Sequence, residues 1–135
     1  QEQFTLKDAA LRAGLGWADW PARLQRLDDG PLPALLPAGS QLWVDGGHNP
    51  AAARALADAV RALLPEGQRL VMISGLLANK DASGFFKPFA GLAGAVYTVP
   101  VPGHAGHPPA SLANAASLMG LAAMPARDVP SALAS

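Results

Sequence analysis

The chain has 135 residues, 50% of them hydrophobic, and its ten basic side chains balance ten acidic ones, which suffices for one domain with a buried core. No long run of one charge sign marks a nucleic-acid surface or an acidic tail. Cysteine is absent, excluding disulfides and thiolate metal sites, and neither a leader pattern nor a run of roughly 18 apolar residues is found, so the expectation is a soluble, cytoplasmic protein that binds neither nucleic acid nor membrane.

Along the chain, Thr5 is placed to cap a helix over Leu6–Ala13 that Gly14 stops. Residues 1–19 read as the end of a preceding domain or a linker helix, and residues 20–135 as the domain proper. Trp20 precedes a proline and is biased to extended backbone, and Arg23-Leu24-Gln25-Arg26-Leu27 alternates polar and apolar like a half-buried strand. GPLPALLPAGS, residues 30–40, reads as a loop from its three prolines and two glycines. Leu42-Trp43-Val44 is a short apolar strand. Residues 50–64 are a helix with Leu56, Ala59, Val60, Leu63 and Leu64 on its core face and Arg54, Asp58 and Arg61 opposite, ended by Pro65 and Gly67. A strand over Leu70–Ile73 leads into SGLLANKDASG, then a helix around Phe85–Leu92 whose Phe85, Phe86 and Phe89 form a core face. The strand Ala95–Val99, the loop VPVPGHAGHPPA and a helix over Pro109–Met119 follow. The ending ARDVPSALAS begins another helix. Lacking an initial methionine and stopping there, the chain is expected to be an excised fragment, truncated at its C-terminus.

Apolar strands alternating with helices predict a small doubly wound, Rossmann-like α/β domain with a mainly parallel sheet and helices on both faces. Ligands of such sheets gather at the carboxyl ends of the strands, which directs attention to VDGGHNP, SGLLANKD and VPVPGHAGH.

In VDGGHNP, Asp45 ends a strand, Gly46 and Gly47 permit positive φ or close backbone approach, Asn49 can cap, and Pro50 suits a first helical turn. Uncapped amides there favour an anion such as phosphate. His48 can add a hydrogen bond or a charge, and Asp45 can accept from ribose hydroxyls. The alternative is an ordinary strand-to-helix turn. Arg23 is either a bidentate grip on phosphate or carboxylate or a surface arginine of an edge strand. Lys80 offers a point charge, and Asp81 is expected to cap the next helix. His104 and His107 lie three apart in a Gly/Pro loop, where the imidazoles do not converge and no third ligand is evident; no metal site is expected, and both read as solvated. No phosphate-cradling P-loop and no nucleophile elbow occur. If nucleotide is handled, this chain supplies part of the site.

Together, Trp20-Pro21-Ala22-Arg23-Leu24-Gln25, Asp45-Gly46-Gly47-His48-Asn49-Pro50, Leu77-Ala78-Asn79-Lys80-Asp81 and Val99-Pro100-Val101-Pro102-Gly103 resemble the C-terminal domain of folylpolyglutamate synthase/dihydrofolate synthase, in the Mur ligase family. Order and separations agree over nearly the whole chain. The resemblance implies an ATP-dependent amide ligase in which a substrate carboxylate is phosphorylated and the amine of L-glutamate displaces phosphate, with folate or dihydropteroate as acceptor. It implies that the P-loop and the Mg²⁺ ligands lie in a larger N-terminal domain absent here, that this domain closes over the cleft, and that it is inactive alone. By the same resemblance Arg23 contacts ATP phosphates, Asp45 the ribose hydroxyls and His48 the phosphate region, where it helps place the incoming amino acid. Gly46, Gly47 and Asn49 complete the cofactor side. Lys80 and Asp81 face the substrate, with His48 and Lys80 as catalytic candidates. The chain departs from the pattern in its proline-rich insert between Arg23 and Asp45, in His104-Ala105-Gly106-His107 where relatives often carry an arginine, and in ending before a last strand. Rival readings are the equivalent domain of a peptidoglycan-precursor Mur ligase, which the Trp-Pro-Ala-Arg and Asn-Lys-Asp elements oppose, and a non-catalytic nucleotide-binding or interaction domain.

Overall fold

A computed structural model describes residues 22–135; the expected helix over Leu6–Ala13, the linker 1–19 and the Trp20-Pro21 unit lie outside the described residues. Five strands and four helices follow in order: β1 Gln25–Leu27, β2 Leu42–Val44, α1 Pro50–Leu63, β3 Leu70–Ser74, α2 Ala82–Phe86, β4 Ala93–Thr98, α3 Pro109–Leu118, β5 Ala123–Pro125 and α4 Val129–Leu133. The α/β class is borne out. β3, β4 and β5 form a parallel sheet in that order, with Met72 opposite Val96 and Val96 opposite Ala123.

β2 departs from the expected parallel arrangement. It pairs antiparallel with β1, Gln25 facing Val44 and Leu27 facing Leu42, in a separate two-stranded sheet. The physical reason is the connection: the proline-rich tract folds only a 3₁₀ turn at Pro33–Leu35, and without a crossover helix the chain simply reverses. The other edge of β2 looks toward β3 across a groove of ≈ 200 Å³ between Trp43, Val44 and Val71–Gly75.

Asn49 caps α1 by accepting from Ala52 N–H at 2.9 Å, with Pro50 in the first turn. Its buried ridge is Ala53 and Ala57, both wholly inaccessible, with Leu56 packed beside them. The expected core residue Leu63 is instead 54% exposed. Small side chains four apart let α1 press closely onto α2 and the 3₁₀ turn Lys87–Phe89, whose phenylalanines fill the space between. Phe85 and Phe86 meet edge to face at 5.4 Å, and Phe85 and Phe89 lie 5.9 Å apart. α2 starts earlier than expected because Asp81 caps it through Gly84 N–H at 2.9 Å, and stops early because Pro88 breaks it. With Leu112 and Ala116 of α3, these side chains cover the face of the sheet that carries Leu70, Met72, Val96 and Ala123. On the opposite face Val71 and Met124 stay exposed. Thr98 is fully buried, its hydroxyl donating to the Pro109 carbonyl at 2.7 Å to tie β4 to α3. No helix among the described residues is long and apolar enough to cross a membrane.

Two outcomes follow. Phe86→Ala should lower unfolding free energy by about 3–5 kcal/mol while Leu63→Ala changes it by less than about 0.5 kcal/mol, read by urea denaturation; equal losses contradict the observed face of α1. Hydrogen bonds from the Ser131 hydroxyl and amide, with Arg127 adjacent, hold the Asp128 carboxyl below its usual 3.8, at about 2. Because the folded value is depressed, this cap stabilises α4 above pH 3.8 and is lost as pH falls toward 2. NMR titration of the Asp128 carboxyl should show that midpoint, and Ser131→Ala should move it back up.

Candidate functional site

At the carboxyl end of β2 the chain runs through Asp45-Gly46-Gly47-His48-Asn49 into α1, and the residues before β1 fold back onto that turn. Gly46 N–H donates to the Ala22 carbonyl at 2.7 Å. The half-buried Asp45 carboxylate accepts from Leu24 N–H at 2.8 Å through Oδ2 and from Gly47 N–H at 2.7 Å through Oδ1. Between these attachments Ala22 and Leu24 adopt φ of 56° and 45°, a left-handed geometry that costs a residue with a side chain of order 1–3 kcal/mol. Arg23 is thereby carried over Gly46.

Neither Gly46 nor Gly47 uses positive φ; what each contributes is the missing Cβ. A Cβ at Gly46 would stand 2.8 Å from Arg23 Nη1, and one at Gly47 would stand 2.8 Å from Asp45 Oδ1. The turn also consumes the amides expected to receive an anion: those of Gly46, Gly47 and Ala52 already have protein acceptors. Two groups remain directed outward. Arg23 is exposed, its guanidinium touching only the Ala22 carbonyl at 3.3 Å, and no carboxylate among the described residues pairs with it. His48 is also exposed. It donates from Nδ1 to the Gly46 carbonyl at 3.0 Å, which leaves Nε2 to the outside.

Arg23, Asp45, Gly46, Gly47, His48 and Asn49 thus line one cavity of ≈ 390 Å³, whose other wall is the apolar flank of α1. Lys80 and Asp81 do not line it. They sit on the neighbouring loop, joined to the site where Gly84 packs against Pro50 so closely that a Cβ there would meet Pro50 Cγ at 2.8 Å. Asp81 and Asn49 spend carboxylate and amide oxygen on helix caps.

Two features escaped the sequence. Leu24 contributes through its amide, which no side-chain pattern signals. His107, expected to be solvated, is half-buried and donates from Nε2 to the Lys80 carbonyl at 3.0 Å, while its own N–H bonds the Leu76 carbonyl at 2.9 Å. With the antiparallel bridge between Leu77 and Gly106, this zips the loop after β3 to the loop after β4. His104 is exposed. Among the described residues no group of three His, Asp or Glu converges as a metal site.

Residues 34–135 match the family described as Mur ligase, glutamate ligase domain. The folylpolyglutamate synthase of Lacticaseibacillus casei is 34% identical over 103 residues, taking in 76% of this chain and 22% of that protein. The Mycobacterium tuberculosis folylpolyglutamate synthase complexed with ADP superposes with a TM-score of 0.76 at 25% identity, over 96% of this chain and 27% of that one. The bifunctional folylpolyglutamate synthase/dihydrofolate synthase of Yersinia pestis, complexed with AMPPNP and Mn ion, gives 0.68 at 27% identity, over 96% and 28% respectively. The chain therefore spans 22% to 28% of the length of these relatives.

The two glycines should respond differently to alanine. At Gly46 the obstructing atom is the tip of a flexible side chain, so Gly46→Ala displaces the guanidinium and leaves thermal stability nearly unchanged. At Gly47 the obstruction is an oxygen fixed by two hydrogen bonds, so Gly47→Ala should cost at least about 1 kcal/mol. Thermal melts with Arg23 side-chain NMR signals separate the cases; equal melting behaviour contradicts the geometry.

Proposed function

The chain belongs to the Mur ligase glutamate ligase domain family, and from that membership we propose that residues 20–135 form the C-terminal domain of a cytoplasmic, ATP-dependent ligase joining L-glutamate to folate or dihydropteroate. Residues 1–19 are, in this reading, the linker from a larger N-terminal domain that carries the P-loop and the Mg²⁺ ligands. The observation that carries it is the pairing of an uncompensated guanidinium with an outward imidazole nitrogen on one cavity beside a helix N-terminus.

This donor set suits a phosphate chain held mainly by another domain. The turn's amides are internally bonded, so charge comes from Arg23, which matches phosphate oxygens in pairs, and from His48. With Nδ1–H fixed on the Gly46 carbonyl, Nε2 accepts from an ammonium when neutral and donates to a phosphate oxygen when protonated. Asp45, Gly46, Gly47 and Asn49 frame these two groups. Lys80 and Asp81 occupy the substrate side, Lys80 as a point charge for a carboxylate. ATP, when bound, supplies the phosphoryl group that makes a carboxylate reactive toward an amine. The described residues do not fit a metal site of their own, which is why Mg²⁺ is assigned to the N-terminal domain.

Catalysis of phosphoryl transfer rests on positioning and charge stabilisation, so a domain that closes with an arginine and an imidazole already placed completes a site assembled elsewhere. In the parent protein, with its upstream region intact, ATP- and glutamate-dependent ligation to folate and pteroate acceptors should fall about 100-fold in kcat/KM for Arg23→Ala and for His48→Ala. Wild-type rates in both folded variants would sink the assignment.

A further inference from the structure

The resemblance directs Asp45 toward ribose hydroxyls. Its geometry directs it elsewhere: both carboxylate oxygens are occupied by backbone N–H groups, one of them 21 positions away in sequence at Leu24. Leu24 is one of two left-handed residues that flank Arg23, and such backbone persists only where its surroundings over-determine it. Asp45 Oδ2 is the side-chain acceptor holding the Leu24 end, the Gly46 amide holds the Ala22 end, and Arg23 is carried between them.

We propose that Asp45 is a positioning residue whose two-point clamp on Leu24 and Gly47 aims the Arg23 guanidinium across Gly46, and that this is its main contribution to ligation. The inference rests on the proposed ligase function for its kinetic consequence, and on the hydrogen bonds alone for its structural one. Asparagine at position 45 keeps the shape but has one acceptor oxygen and presents an NH₂ donor to the other amide, so half the clamp fails.

The test is a double-mutant cycle in the parent protein, run with ATP and with 2′,3′-dideoxy-ATP. Asp45→Asn should lower kcat/KM about 10- to 100-fold when Arg23 is present, but less than about 3-fold in the Arg23→Ala background. Its effect should be the same with both nucleotides. Penalties that multiply would overturn the proposal, as ordinary destabilisation would give, and so would a penalty that vanishes with the dideoxy nucleotide, as a ribose contact would give. If the wild-type parent shows no ligation, the ligase reading fails by itself. The clamp is then decided by backbone couplings: Asp45→Asn must move Ala22 and Leu24 out of positive φ, and unchanged couplings overturn it.

Discussion

A single carboxylate, that of Asp45, joins three pieces of this domain that are otherwise independent: the turn before β1, the end of β2 and the approach to α1. Hydrogen bonds to an ionised acceptor contribute about 1.5–3 kcal/mol each, and Asp45 makes two of them. The left-handed residues Ala22 and Leu24 cost of order 1–3 kcal/mol each. These sums are comparable. The strained turn therefore exists because the clamp exists, and Arg23 occupies its place as a consequence of both.

The apolar scaffold determines where the turn points. Alanines at 53 and 57 let α1 settle onto the phenylalanine cluster, which sets its N-terminus beside that of α2 through Pro50 and Gly84. Parallel pairing of β3, β4 and β5 sends the loops after β3 and β4 to one edge, where the Leu77–Gly106 bridge and the His107 bond to Lys80 fasten them together. An edge built this way presents Arg23 and His48 on one loop and Lys80 on the next, each on backbone fixed by bonds to a different segment. That arrangement agrees with a domain that must arrive at its partner with its groups already oriented.

Local chemistry was readable from the chain wherever cause and effect lie within a few residues. Asn49-Pro50 and Asp81 announce their helix caps three positions ahead of the amides they satisfy, and Phe85, Phe86 and Phe89 declare a core face by spacing alone. The alternation of strands and helices declares the α/β class. Long-range consequences were not readable. Nothing in Leu42–Val44 states that β1, and not β3, takes its hydrogen bonds; the helix-free connection decides it. Hydrophobic pattern weighs Leu63 above Ala53 and Ala57, whereas packing favours the small side chains that permit close approach. His107 and Leu24 act through backbone carbonyl and amide groups, to which residue type gives no clue. Asp45 was legible as a site residue, but its partner 21 positions earlier was not.

The most direct test of the account is measurement of scalar couplings across hydrogen bonds in isotopically labelled protein, from the Leu24 and Gly47 amide nitrogens to the Asp45 carboxyl carbon. Two resolved couplings, with Leu24 N–H protected from solvent exchange, are predicted. Coupling from Gly47 alone, with the Leu24 amide exchanging as freely as in an unstructured peptide, would contradict it, because Asp45 would then be an ordinary turn residue and Arg23 would have nothing to hold it over Gly46.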